Sequence, residues 1–311
     1  MTMKLHLNPL MSVGLLLSLT TSCGDEPEPK GISDNPWVGI TDSLFYKENP
    51  LWQLHKDSPL KILAIGNSYT NNATTYMSWL IHRLNGDSIC IARLTQGGCT
   101  LEKHWDNHVG NASGYYFDYS DRGHWATCDI NSLDEALALL DWDVITIQQY
   151  SGLSGVFSSY QPYLSNLLAL FRYSNSNALL AWHYTWTYTE GADRSDFKRY
   201  DYDAENKYKA IMDAGNKGAE YFDILIPSAT LIKVMREEFP DAENGFSSDG
   251  SHIDDEFALY ALSSLWYDIL VGPFSGCSRK SLNGVPWDVK EEGFDKVEDI
   301  IKSILDTELG T

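Results

Sequence analysis

The chain has 311 residues, 43% of them hydrophobic, and a formal charge of −20. That is enough apolar material for one large α/β domain or two small ones, and the charge argues against nucleic acid and anionic membrane surfaces as partners, because both would be repelled. Ten Trp and eighteen Tyr are a high load for this length; most are expected in the core, and any exposed at a site would suit stacking on sugars or other flat apolar faces.

In chain order, the first segment is expected to be removed. Lys4 gives a positive start, "MSVGLLLSLT" is apolar but too short to span a bilayer, and small polar residues lead to Cys23: the layout of a secretory signal over 1–22. "TTSC" resembles the lipobox of bacterial lipoproteins, with Thr20 where Leu is usual, which implies lipidation of Cys23 and leaves ordinary signal cleavage as the alternative. "CGDEPEPKGISDNP" reads as an acidic, Pro-rich tether with nothing to bury. Its acidic start resembles surface-export signals of gut Gram-negative anaerobes. The expectation is an exported outer-membrane lipoprotein at the cell surface or in the periplasm, touching the membrane only through its anchor, with residues 23–57 as tether and lead-in and 58–311 as one domain.

From Pro59 the pattern alternates. "LKILAIG" is a strand, and "NNATTYMSWLIHRLNG" sets Ala73, Met77, Leu80 and Leu84 on one helical stripe, with Asn85-Gly86 as the stop. "SICIARLT" is apolar on both faces, as strands of a covered parallel sheet are. A polar excursion follows, in which "YYFDYSDRGHWATC" alternates about an Asp-Arg-Gly turn as an inserted hairpin. Ser132 and Glu135 form a capping box that opens "SLDEALALL". "DVITIQQ", "NALLAWHYTW" and "FDILIP" are the remaining strands, separated by helices at "SYQPYLSNLLALFRYS" and "DAENKYKAIMDAGNKGAE" and followed by helices at "SATLIKVMREEF" and "DDEFALYALSSLWYDIL". Five strands alternating with helices predict a doubly wound five-stranded parallel sheet, an α/β/α sandwich in a single domain with a small hairpin insertion.

Ligand sites in such sheets lie beyond the carboxyl ends of the strands, where this chain places "GNSYT", "QGGCT", "QQYSG" and "WHYTW", with "SSDGSHIDD" before the last predicted helix. A serine hydrolase needs a hydroxyl, a base in reach, a group that fixes the base, and oxyanion donors. Ser68 after a strand, Asp249 and His252 three apart in one loop, and Gly98 with an unobstructed backbone N–H supply these types. Each has a plainer use: Asn67 or Ser68 as a helix cap, Gly97-Gly98 as a turn, Asp249 and His252 as a chance pairing. Their joint order favours the catalytic reading. Cys90, Cys99, Cys128 and Cys277 match no metal spacing; Cys90 is expected in the core, one disulfide at most is expected, and no cofactor or metal is implied.

These blocks resemble the SGNH (GDSL-type) hydrolases over residues 59 to about 272. "GNSYT" is similar to their GDS(L) block with Asn67 for the usual Asp, "GGCT" to their glycine block and "SDGSH" to their DxxH block. Together with "WDVITIQQ.S" and "W.YTWTY" they look like an SGNH-like family of secreted proteins in gut anaerobes. The resemblance implies Ser68 as nucleophile, His252 as general base and acid, Asp249 as its partner, and the Ser68 and Gly98 N–H groups as oxyanion donors. It also implies a third donor, normally the Asn of a GxND block, where this chain reads "QQYSG"; Gln149, or else Gln148, is expected to supply that amide, or simply to satisfy polar groups at a strand end. Asn67, Gln148, Trp182 and His183 are weaker substrate-binding candidates, with Glu102, His104, Trp105, Tyr184 and Trp186 as further pocket lining. The expected activity is hydrolysis of an ester, most naturally an O-acetyl group on a carbohydrate; the alternatives are a catalytically weak glycan-binding lipoprotein on the same fold, or acyl transfer to a sugar hydroxyl.

Overall fold

The structure, a computed structural model, describes residues 55–272 and 291–309. The expected signal segment, Cys23, most of the expected tether and Cys277 lie outside the described residues. Seven strands form one sheet: β1 (Leu60–Gly66), β2 (Ile89–Thr95), β3 (Tyr116–Asp121), β4 (His124–Cys128), β5 (Val144–Ile147), β6 (Leu179–His183) and β7 (Ile224–Ile226), in the order β4-β3-β2-β1-β5-β6-β7. β1 is the most enclosed: Ile62 to Ile65 are all 0% exposed, because its neighbours β2 and β5 run parallel to it and helices cover both faces.

On one face lie α3 (Leu101–Val109), α4 (Leu133–Leu139), α5 (Tyr163–Ser174) and α6 (Ala204–Gly218), whose buried side chains share a core with Leu63, Ile65 and Ile145. On the other lie α1 (Ser68–Ala73), α2 (Met77–Asn85), α7 (Ser228–Glu238), α8 (Glu256–Leu270) and α9 (Glu291–Ile304), packed on Ile62, Ala64 and Ile91. The five parallel strands run β2-β1-β5-β6-β7, so chain order reverses at β1 and opens a crevice at its carboxyl end.

Three expectations need correction. The sheet is mixed and seven-stranded rather than parallel and five-stranded: β3 pairs antiparallel with β2, and Phe117 and Tyr119 alternate into the core, so the hairpin completes an edge that β2 would otherwise leave open. Its turn is as expected, with Arg122 and Gly123 both at positive φ (47° and 85°). The helix expected over 71–86 is two helices. Thr74 and Thr75 donate their hydroxyls to the carbonyls of Thr70 and Asn71 at 2.7 and 2.9 Å, a competing local bond that ends α1. Finally, α3 occupies the polar excursion, capped by Thr100, whose Oγ1 accepts from Lys103 N at 3.0 Å. Ser132 and Glu135 form the expected capping box. Cys90 is fully buried, and Cys90, Cys99 and Cys128 carry no bridge.

Candidate functional site

β1 ends on Gly66, where no side chain fits: an added Cβ would stand 2.1 Å from Thr70 Oγ1 and 3.1 Å from the Gln148 side chain. The chain then turns at Asn67, whose Oδ1 accepts from Tyr69 N at 3.0 Å and caps α1. Ser68 is therefore the first helical residue, half-buried at the crevice.

The 247–254 loop meets it from 184 positions away in the chain. Ser68 Oγ lies 2.8 Å from His252 Nε2, and His252 Nδ1 lies 2.6 Å from Asp249 Oδ2. A carboxylate at Nδ1 fixes the ring proton there, so Nε2 is an acceptor and the Ser68 hydroxyl donates to it. Asp249 is itself held by the N–H groups of Ser251 and His252, at 2.8 and 2.7 Å to Oδ1. Burial works to raise its carboxyl, but the His252 ring N–H and these two backbone donors outweigh it and hold the group at about 2. The turn needs Gly250, at φ +74°, since a Cβ there would stand 2.6 Å from that of Ala192; Ser248 closes the loop on Asp254.

Two aromatic side chains tie this loop to the serine. Tyr69 stacks on Trp186 with ring centroids 4.3 Å apart; Tyr69 OH bonds Ser251 Oγ at 3.0 Å, and Trp186 Nε1 donates to Ser251 O at 2.9 Å. Trp186 and Ser251 are 0% exposed. Trp186 thus supports the loop from beneath rather than lining a pocket. The sequence assigns no role at the site to Tyr69 or Ser251, although both sit inside the quoted blocks: a Tyr beside a Ser carries no signal of what it touches.

On the other side of Ser68, Gln96 N donates to Gly66 O at 3.1 Å and Cys99 N to Gln96 O at 3.1 Å. This closes a turn with Gly98 exposed at φ +62°. Asn67 Nδ2 donates to Cys99 O at 3.1 Å and so pins that turn beside the serine. Among the described residues no acceptor takes the Ser68 or Gly98 N–H.

The glutamines do not turn toward the serine. Gln149 Nε2 donates to Ser159 O and Oγ at 3.2 and 3.1 Å, and its Oε1 accepts from the N–H groups of Leu101 and Tyr150. Gln148 is fully buried and bonds Asn67, Thr70 and His183. The expected third amide donor is therefore not at the site, because both side chains serve the strand end beneath it. Asn67, Gln148, Trp182 and His183 are all 2% exposed or less, which places the four substrate-binding candidates below the surface. Trp182 packs on Tyr160 and Phe222, and His183 on Trp266. His104 is likewise buried against Tyr115 OH, and burial pushes both histidines down to about 3. Glu102 is exposed and accepts from Tyr163 OH; Trp105 packs against the core below it, and Tyr184 is buried with its hydroxyl on Asn216.

The ring of Tyr150 forms the wall next to Gly98; its hydroxyl donates to Asp196 at 2.9 Å, as does Tyr188 OH at 3.0 Å. Behind Asp249 a cleft of about 720 Å³ opens between residues 187–193, α7 and the 244–250 turn; Ser68 and His252 are not among its lining residues. Among the described residues no group of three or more His, Cys, Asp or Glu side chains is arranged to hold a metal ion, and no helix is long and apolar enough to cross a membrane.

A family model described as "Domain of unknown function (DUF4886)" matches residues 61–278. The solved structure of a DUF4886 family protein from Bacteroides uniformis is similar to this chain at 28% identity and a TM-score of 0.69, over 79% of this chain and 94% of that one. Fainter likenesses are to a candidate GDSL-like lipase from Parabacteroides merdae (15% identity, TM-score 0.49, 71% and 98% covered) and a candidate SGNH hydrolase from Slackia heliotrinireducens (16%, 0.45, 68% and 98%). No curated protein matches. The chain belongs to the DUF4886 family.

Proposed function

We propose that this member of the DUF4886 family is a serine esterase, with Ser68 as nucleophile, His252 as general base and acid and Asp249 as its orienting partner. The observation that carries the reading is the unbroken chain from Ser68 Oγ through both ring nitrogens of His252 to a carboxylate, at 2.8 and 2.6 Å. Ser68 Oγ attacks the acyl carbon while its proton passes to Nε2; the oxyanion is met by the N–H groups of Ser68 and Gly98; His252 returns the proton to the departing alcohol. Water then repeats the sequence on the acyl-serine and releases the acid.

The substrate we infer is an O-acetyl group on a carbohydrate, handled by a lipoprotein anchored through Cys23 at the cell surface or in the periplasm. Support comes from the export layout of the first 36 residues and from the half-buried ring of Tyr150 beside Gly98, a face on which a sugar can stack. Purified protein should turn over p-nitrophenyl acetate and release acetate from acetylated oligosaccharides, and Ser68→Ala should abolish both. Unchanged turnover in Ser68→Ala would refute the assignment.

One observation favours a weaker catalyst that chiefly binds glycan: neither glutamine amide reaches the serine, and a missing oxyanion donor costs about 10²–10³ in rate. A fluorophosphonate probe separates the readings. Labelling at Ser68 supports the enzyme; no labelling, with glycan binding retained in calorimetry, supports the binder.

A further inference from the structure

We propose that Asn67 and Gln148 work as one amide pair that positions the oxyanion turn, and that this chain requires Asn at 67 where the resemblance has Asp. The inference rests on the reading of Ser68 as the nucleophile and names two positioning residues for that reaction.

The orientation of both amides is fixed from two independent ends. At one end the Tyr69 backbone N–H, which can only donate, meets Asn67 at 3.0 Å and requires its oxygen there. Gln148 approaches the same oxygen at 2.7 Å and must therefore present its NH₂. At the other end, Gln148 Oε1 lies 2.8 Å from His183 Nδ1 and 2.8 Å from Thr70 Oγ1, a place for two donors. His183 Nε2 is buried with no partner among the described residues; a neutral imidazole avoids burying an unpaired N–H by carrying its one proton on Nδ1. Both ends give the same assignment. What is left of the Asn67 amide is its NH₂, and it donates to Cys99 O at 3.1 Å.

That last bond reaches the chemistry. Cys99 closes the turn whose preceding residue is Gly98, so the Asn67 amide sets the spacing between the Ser68 N–H and the Gly98 N–H. A carboxylate at 67 would keep its bonds to Tyr69 and Gln148 but set its second oxygen about 3.1 Å from the Cys99 carbonyl oxygen, with no hydrogen between them. The turn would have to retreat from the serine. A carboxylate at 148 fails at the other joint, where it would face Asn67 Oδ1.

The test replaces Asn67 in two ways. Asn67→Asp should keep the cap and the fold yet lose about 100-fold or more in kcat on p-nitrophenyl acetate, the scale of one misplaced oxyanion donor, with KM within about threefold. Asn67→Ser, which caps the helix comparably but cannot reach Cys99, should lose kcat in the same way and guards against poor folding of the first variant. Wild-type kcat in either variant overturns the proposal. Absence of turnover in the wild type would sink the esterase reading instead; crystal structures of the two variants then decide the pair, with a 96–99 turn shifted by about 1 Å or more expected and an unmoved turn refuting it.

Discussion

Replacing Trp186 with Phe tests whether the triad is assembled by the Tyr69–Trp186–Ser251 contact rather than by its own three side chains. The change keeps an aromatic ring under Tyr69 but deletes Nε1–H, the donor to Ser251 O at 2.9 Å. Because Ser251 is 0% exposed, water cannot replace that donor, and an unsatisfied buried carbonyl costs about 1–3 kcal/mol. The vacated ring volume adds roughly 1 kcal/mol, for an expected loss of about 2–4 kcal/mol in urea unfolding. The released turn carries His252, and a displacement of about 1 Å costs on the order of 10²-fold in rate. Ser251→Ala, which removes only the hydroxyl contact to Tyr69, should cost about 1 kcal/mol and less activity. Stability and kcat are measured on the same preparations, the latter well below the unfolding transition. Trp186→Phe with the expected stability loss but wild-type kcat would refute the idea that Trp186 sets the position of His252.

Asp249→Asn should lower kcat by about 10³–10⁴-fold, since its amide oxygen would stay on the Ser251 and His252 N–H groups and its NH₂ would face His252 Nδ1, forcing the wrong tautomer. The carboxyl of Asp249 is held at about 2, below its unfolded value of about 3.9; its contribution to stability is thus present above pH ~4 and lost as pH falls toward 2, and the stability gap between wild type and Asp249→Asn should close only in that window. Lys207 is 0% exposed, donates to Ser151 O and lies 4.2 Å from the centre of the Tyr188 ring; burial pushes its ammonium down to about 7. The unfolded chain holds that proton to about pH 10.4, so between pH 7 and 10 the folded state binds fewer protons and gains stability as pH rises. Relative to Lys207→Met, the wild type should gain up to about 3 kcal/mol from pH 7 to 9.5 in paired unfolding curves, and a pH-independent difference would refute a buried, proton-losing lysine.

Parts of this molecule were legible because their signals are local or additive. Ile62 to Ile65 form an apolar run that stops at a glycine and read as a strand, and Ser132 with Glu135 three places on, ahead of an apolar run, read as a capping box. Ser68 and the Asp249–His252 spacing pointed to each other across 184 positions because the chemistry demands complementary types, and the structure brings them within hydrogen-bond distance. Direction was not legible. Gln148 and Gln149 are adjacent at the end of β5 and so point to opposite sides, one toward Asn67 and His183, the other toward Ser159; composition cannot say that neither faces the crevice. Nor does a stretch as polar as "LEKHWDNHV" announce a helix when its buried stripe includes His104 and Asn107, side chains whose burial depends on partners elsewhere.

The central claim is that Ser68 is a nucleophile activated by His252, and intact mass of the protein after a fluorophosphonate probe tests it most directly. One adduct is expected, mapped to Ser68 in the peptide spanning residues 67–72, absent in Ser68→Ala and strongly slowed in His252→Ala. No adduct on the folded wild type, or an adduct that persists in Ser68→Ala, would contradict it.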